Sequence, residues 1–280
     1  MRMKVGIVGL GLIGGSLGLD LRSQGHTVLG VSRKSRTCEL AIARGAVDEA
    51  DSDLALMSDV DAIFVCTPIV HIFTTVQQLI PHISLDTVVT DVGSVKASIV
   101  KDLSPIWKNF VGGHPMAGTA ESGIEAALHG LFAGNPYVLT PTDETPKPAI
   151  DRIESLLRPL QVKLFHCKPE DHDRAVAWIS HLPVMTSANL ISACLSESDQ
   201  AVLNLAKMLA SSGFRDTSRV GGGNPELGVM MAQFNKTEVL RSLSVYRERL
   251  DYLTQLIEQE KWTDLQAEFE KTQGARSDFL

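Results

Sequence analysis

The chain has 280 residues, 44% of them hydrophobic and 21% charged, with a net charge of −7. That length suits one large domain or two modest ones, and the acidic balance argues against a nucleic-acid or anionic-membrane surface. Cys38, Cys66, Cys167 and Cys194 lie far apart with no CxxC pair, so neither a metal site nor a disulfide framework is expected.

Lys4–Val8 is a short apolar run suited to a buried parallel strand. Gly9, Leu10, Gly11, Leu12, Ile13 and Gly14 follow at once. Helical periodicity then runs from Leu12 to Gln24, with Gly25 as its stop, and Thr27–Val31 reads as a second strand. The three glycines therefore sit at a strand–turn–helix junction within about 30 residues, the setting in which GxGxxG marks a dinucleotide site. Gly9 permits the tight turn, Gly11 lets a pyrophosphate approach, and Gly14 lets the helix pack against the strand. The helix N-terminus supplies N–H groups and a positive dipole end.

The residues after the second strand select the cofactor. An NAD site places a carboxylate there, whereas this chain has Ser32, Arg33, Lys34, Ser35, Arg36 and Thr37. Hydroxyls and guanidinium groups favour a 2′-phosphate, so NADP is the expected cofactor, with Ser32, Arg33 and Thr37 as its contacts.

Asp61–Cys66 continues the strand pattern after a weak third strand near Val47. Thr67 and Pro68 follow its carboxyl end, where open α/β sheets bind ligands. Ile69–Ile80 is expected as helix and Thr87–Val92 as strand. Gly93-Ser94-Val95-Lys96 should open the next helix, with Ser94 as its N-cap, as a contact beside the nicotinamide, or both. Phe110–His114 reads as a sixth strand that brings His114 to the site between flexible glycines and rigid Pro115. Tyr137–Thr140 and Val162–Phe165 are two more strands, with a helix near Ala149–Leu160 between them.

From Lys168 onward the pattern is helical. Pro183 should kink a helix or remove one of its backbone bonds. Ser211–Pro225 is rich in glycine and charge, and Pro225–Gln259 reads as one long helix before a last one over Trp262–Thr272. The expected fold is α/β: a Rossmann dinucleotide-binding domain over 1–166 joined to an all-helical domain over 167–280. Long helices with apolar faces in so small a domain call for a partner chain, so a homodimer is expected. No apolar run approaches the ~20 residues of a bilayer span and no leader pattern opens the chain, so a cytoplasmic location with no membrane partner is expected.

Asp91-Val92-Gly93-Ser94-Val95-Lys96, Gly113-His114-Pro115-Met116-Ala117-Gly118, Ser180-His181-Leu182-Pro183 and Gly213-Phe214-Arg215-Asp216-Thr217-Ser218-Arg219 together resemble the prephenate/arogenate dehydrogenase family of tyrosine biosynthesis. The resemblance spans nearly the whole chain and is nearest to the compact cyanobacterial arogenate dehydrogenases. It implies a helical dimerisation domain, an active site in the cleft between the halves, and oxidative decarboxylation of L-arogenate to L-tyrosine. Prephenate, or both substrates, is the alternative. It further implies that His114 takes the proton of the ring hydroxyl and that Ser94 helps place it. Arg219 would pair with a substrate carboxylate, while Asp216, His181 and Gly213 would complete the substrate site. Many prephenate-using relatives follow Ser-His-Leu-Pro with a second histidine; Val184 stands there in this chain. A β-hydroxyacid-type dehydrogenase with Lys96 catalytic, or a non-catalytic NADP sensor, would leave the His-Pro-Met-Ala-Gly stretch unexplained.

Overall fold

The computed structural model describes residues 2–119 and 121–279. Its first half is an eight-stranded sheet in the order β3-β2-β1-β4-β5-β6-β7-β8. The strands are β1 (Lys4–Val8), β2 (Thr27–Val31), β3 (Glu49–Asp51), β4 (Ala62–Val65), β5 (Val88–Asp91), β6 (Phe110–Pro115), β7 (Pro136–Thr140) and β8 (Lys163–His166). The first six are mutually parallel; β7 turns antiparallel to β6, and β8 runs parallel to β7.

Strand periodicity divides the apolar residues between two faces. Val5, Ile7, Ala62, Phe64, Val88 and Val111 join one core, under α1 (Leu12–Ser23) and α5 (Lys147–Leu157). Val8, Ile63, Val65, Val89 and Phe110 point the other way, under α3 (Ile69–Leu79) and α4 (Ala97–Leu103). A sheet covered on both faces explains why these strands read as unbroken apolar runs. The remaining helix of this half is α2 (Ser35–Ala43).

Strand order reverses between β1 and β4, which opens a crevice at their carboxyl ends. The glycine loop lies there. Gly9 has φ +106°, and a Cβ on it would stand 2.6 Å from the Cys66 carbonyl carbon. A Cβ on Gly14 would collide with the Gly9 carbonyl, so α1 lies as close to the turn as backbone allows. A Cβ on Gly11 would meet no atom within 4 Å. The side of the loop that would face a pyrophosphate is therefore open.

The second half is helical: α6 (Pro169–Val176), a π-turn (Ala177–His181), α7 (Leu182–Leu195), α8 (Gln200–Leu209), α9 (Ser212–Ser218), α10 (Pro225–Phe234), α11 (Lys236–Glu258) and α12 (Trp262–Ala275). The π-turn lies just before Pro183, whose missing N–H cannot continue the regular ladder. The expected single helix from Pro225 to Gln259 is two, broken at Asn235 (φ −116°, ψ 35°). Within the glycine-rich stretch, α9 runs into a 3₁₀ turn at Arg219–Gly222. That turn is clamped on α7. Ser187 Oγ donates to the Thr217 carbonyl at 2.8 Å and accepts from Gly221 N–H at 2.9 Å, and a Cβ on Gly221 would strike the α7 backbone. Among the described residues no helix is long and apolar enough to cross a membrane.

Candidate active site

His114 lies near the end of β6, 8% exposed. The glycines before it serve packing, not flexibility. A Cβ on Gly113 would stand 2.7 Å from the Asp91 carbonyl oxygen and 2.8 Å from Thr90 Oγ1, and one on Gly112 would stand 2.7 Å from Val100 Cγ2. Both glycines are strand residues that let β6 press against its neighbours.

Beneath His114 is a fully buried ion pair. Lys96 Nζ meets the Asp91 carboxylate and donates to the Gly113 carbonyl at 2.7 Å. Asp91 also accepts from Gly93 N–H at 2.8 Å and Gly113 N–H at 3.1 Å. The pair thus ties the end of β5 to the strand that carries His114. Burial pushes the Lys96 ammonium down from its usual range, and Asp91 opposes that shift. A lysine committed in this way is a strut, which leaves a β-hydroxyacid-type role for it without support.

Beside His114 are residues from the helical half. His114 Nδ1 is 2.9 Å from His172 Nε2, with the two rings edge to face. His172 Nδ1 is 2.8 Å from Asp173 Oδ1. Asp173 in turn accepts from Lys96 N–H at 2.7 Å and Ala97 N–H at 2.9 Å. Those are the first N–H groups of α4, so Asp173 caps that helix from outside. Ser94 is therefore not the N-cap; a carboxylate from α6 occupies the role, and α4 starts three residues after Ser94. Ser94 is half-buried in the turn between β5 and α4.

Asn235, at the break between α10 and α11, donates to the Asp173 carbonyl at 2.8 Å and lies 3.2 Å from His181 Nδ1. Its side chain needs the helix interrupted there, because it fills the core instead of continuing the helix face. His181 is fully buried, and its Nε2 has no hydrogen-bond partner among the described residues. Burial is the main cause that pushes its pKa down to about 4. His114 is held well below the usual histidine range by burial first, then by His172, Lys96 and His181. Both rings are neutral near pH 7.

His114, His181 and the turn that carries Ser94 thus converge, joined by His172, Asp173, Lys96, Asp91 and Asn235. Of those five only Lys96 was weighed on sequence grounds, as the catalytic lysine of a β-hydroxyacid-type enzyme. Lys168-Pro169-Glu170-Asp171 opens a helix in the sequence, with acids suited to its dipole; Glu170 and Asp171 do occupy the first turn, and the next two residues, His172 and Asp173, point into the site. Arg219 and Asp216 lie apart. They line a cavity of about 530 Å³ with Trp178, Ile179, Leu182 and Pro183. The π-turn separates the two regions, with His181 inside and Trp178 and Ile179 toward the cavity. Arg219 makes no ion pair among the described residues; Asp216 pairs with Arg215 at 3.2 Å instead. Gly213 is exposed with open space around it.

The crevice residues fit a dinucleotide. Among the described residues no side chain caps α1, whose N-cap is Gly11. Thr67 Oγ1 is buried next to the glycine loop, with no hydrogen-bond partner among the described residues. Pro68 is the N-cap of α3. Ser32 follows the end of β2, and Arg33 is exposed just before α2, in which Thr37 lies. Among the described residues no cluster of three or more His, Cys, Asp or Glu is arranged to hold a metal ion.

Two family models match the chain: prephenate dehydrogenase, nucleotide-binding domain, over residues 17–166, and prephenate dehydrogenase, dimerization domain, over residues 168–271. Synechocystis arogenate dehydrogenase is 54% identical, with a TM-score of 0.91 over 99% of this chain and 100% of that one. Prephenate dehydrogenase from A. aeolicus, in complex with hydroxyphenyl propionate and NAD+, is 29% identical, with a TM-score of 0.93 over 100% of this chain and 99% of that one. The prephenate dehydrogenase of Bacillus subtilis is 30% identical over 93% of this chain and 71% of its own length. The chain belongs to the prephenate dehydrogenase family, and it is an oxidoreductase that acts on a ring CH–OH with decarboxylation.

Proposed function

We propose that the chain is an NADP-dependent arogenate dehydrogenase that converts L-arogenate to L-tyrosine as a homodimer in the cytoplasm. The observation that carries the chemistry is His114: a buried neutral imidazole at a strand end, braced through Nδ1 by His172. A neutral ring can accept the proton of a ring hydroxyl. When bound, the nicotinamide supplies the hydride acceptor; the residues to hold its dinucleotide are Gly9 to Gly14, Thr67, Pro68 and Ser94, with Ser32, Arg33 and Thr37 for the 2′-phosphate. Loss of carbon dioxide then makes the substrate ring aromatic, which drives the reaction forward.

Arogenate is favoured over prephenate by the 54% identity to an arogenate dehydrogenase, against 29% and 30% for the two prephenate enzymes. Val184, on α7, agrees with it. The homodimer is supported by the family model matched by the helical half and by exposed apolar side chains there, among them Met208 at 74%, Leu209 at 70% and Val229 at 64%. The cytoplasm is supported by four free cysteines.

The decisive measurement is kcat/KM for arogenate and prephenate, each with NADP and NAD. The arogenate–NADP combination should be highest; a maximum with prephenate or with NAD would overturn that part of the reading. Arg33→Asp should move cofactor preference toward NAD, because a carboxylate repels a 2′-phosphate. An unaltered NADP/NAD ratio would remove Arg33 from the cofactor site.

Arg219 is assigned to a substrate carboxylate. Its guanidinium is free of ion pairs among the described residues and lines a cavity of about 530 Å³. Arg219→Ala should raise KM by roughly tenfold or more, since a charge-assisted pair contributes on the order of 1.5–3 kcal/mol. An unchanged KM would make this arginine structural.

A further inference from the structure

We propose that His172 is the second station of a proton relay, His114–His172–Asp173, and that it holds the substrate's proton charge between hydride loss and decarboxylation. The proposal rests on the dehydrogenase reading above and assigns a positioning residue to it.

The hydrogen bonds fix their own directions. Asp173 accepts two backbone N–H groups, from Lys96 at 2.7 Å and Ala97 at 2.9 Å. A carboxylate so placed offers only acceptors, so His172 Nδ1, at 2.8 Å from Oδ1, is the donor. In the neutral His172 ring Nε2 is then a bare lone pair. It lies 2.9 Å from His114 Nδ1, so the proton between the rings belongs to His114. The His114 Nε2 is left unprotonated. This is the tautomer that can accept a proton from a hydroxyl.

The same geometry decides where a positive charge can rest. Burial, His172, Lys96 and His181 all oppose a charge on His114. Lys96 faces it from the turn before α4, His181 from the π-turn and neutral Asn235 from the helix break behind Asp173. His172 differs in having a carboxylate in direct contact. As hydride leaves the hydroxyl-bearing carbon for the nicotinamide, the hydroxyl proton passes to His114 Nε2. The His114 Nδ1 proton passes to His172 Nε2, and the ring oxygen becomes a carbonyl. When carbon dioxide leaves, its bonding electron pair runs through the ring to that oxygen. His172 returns a proton to His114 Nδ1, and His114 Nε2 gives one to the oxygen. The protein ends as it began, and no proton is drawn from solvent.

His172→Gln separates relay from packing. The amide oxygen can still accept from His114 Nδ1, so the tautomer is kept, but it cannot take the proton. The expected result is a kcat lowered about tenfold or more, with KM for arogenate and NADP within about threefold of wild type. Unchanged kcat would overturn the relay. A wild type that turns over neither arogenate nor prephenate would instead overturn the functional reading. ¹⁵N NMR of the histidines in the full chain tests the geometry without turnover or a variant. His114 should be protonated at Nδ1 and bare at Nε2 near neutral pH; the opposite tautomer would overturn the proposal.

Discussion

Replacing His114 by Asn is expected to lower kcat by roughly 10²–10⁴-fold, the range for loss of a positioned general base. NADP affinity, measured by calorimetry, should stay within about twofold. Asn keeps a short polar side chain that can donate to His172, so the network behind the site stays closed, but it has no basic nitrogen. The proposed dinucleotide contacts lie at the β1–β4 crevice, just after β2 and, for Ser94, in the turn between β5 and α4, and none of them is made by the imidazole. Only the chemical step should fail. Retained turnover, within about threefold of wild type, would remove His114 from its role. A parallel loss of NADP affinity would show that the substitution had disturbed the crevice as well.

The dinucleotide crevice was legible in the sequence because local physics determines it. β1 and β2 start and end at the expected residues, and α1 ends at Ser23, one residue short of the expected Gln24 and just before Gly25, which has φ +86°. A strand, three glycines and a helix within 30 residues define a site whose parts are neighbours along the chain. His114 was legible for a related reason, since the strand end places it. His172, Asp173 and Asn235 were not. They reach the site from 58 to 121 residues further along the chain than His114, and no local pattern separates an Asp that caps its own helix from one that caps another. The break at Asn235 had no glycine or proline to mark it; a tertiary demand, the Asp173 carbonyl and His181, overrides the helical periodicity. The glycines before His114 misled in the other direction. Flexibility was the expected role, whereas the sheet uses them because no Cβ fits beside Asp91, Thr90 and Val100.

Lys96→Met should destabilise the protein by roughly 3–5 kcal/mol, as expected when one member of a buried pair is removed. Both side chains of the Lys96–Asp91 pair are 0% exposed. The variant leaves the Asp91 carboxylate in the core with only the Gly93 and Gly113 N–H groups to compensate it, and it strips the Gly113 carbonyl of its donor. Equilibrium unfolding in urea measures the loss, and a change below about 1 kcal/mol would show that water or a rearranged partner reaches Asp91. The pair should matter more for position than for net stability, because the attraction between buried charges roughly offsets their desolvation. Asp91→Leu in the Lys96→Met background removes both charges and should recover part of the stability. Activity should not recover with it. Gly113 precedes His114 in β6, and a misplacement of about 1 Å at a reacting group can cost on the order of 10²-fold. A double variant that is stable yet slow would assign the ion pair to holding His114 in register with His172, whereas recovery of both would reduce it to one exchangeable way of filling the core.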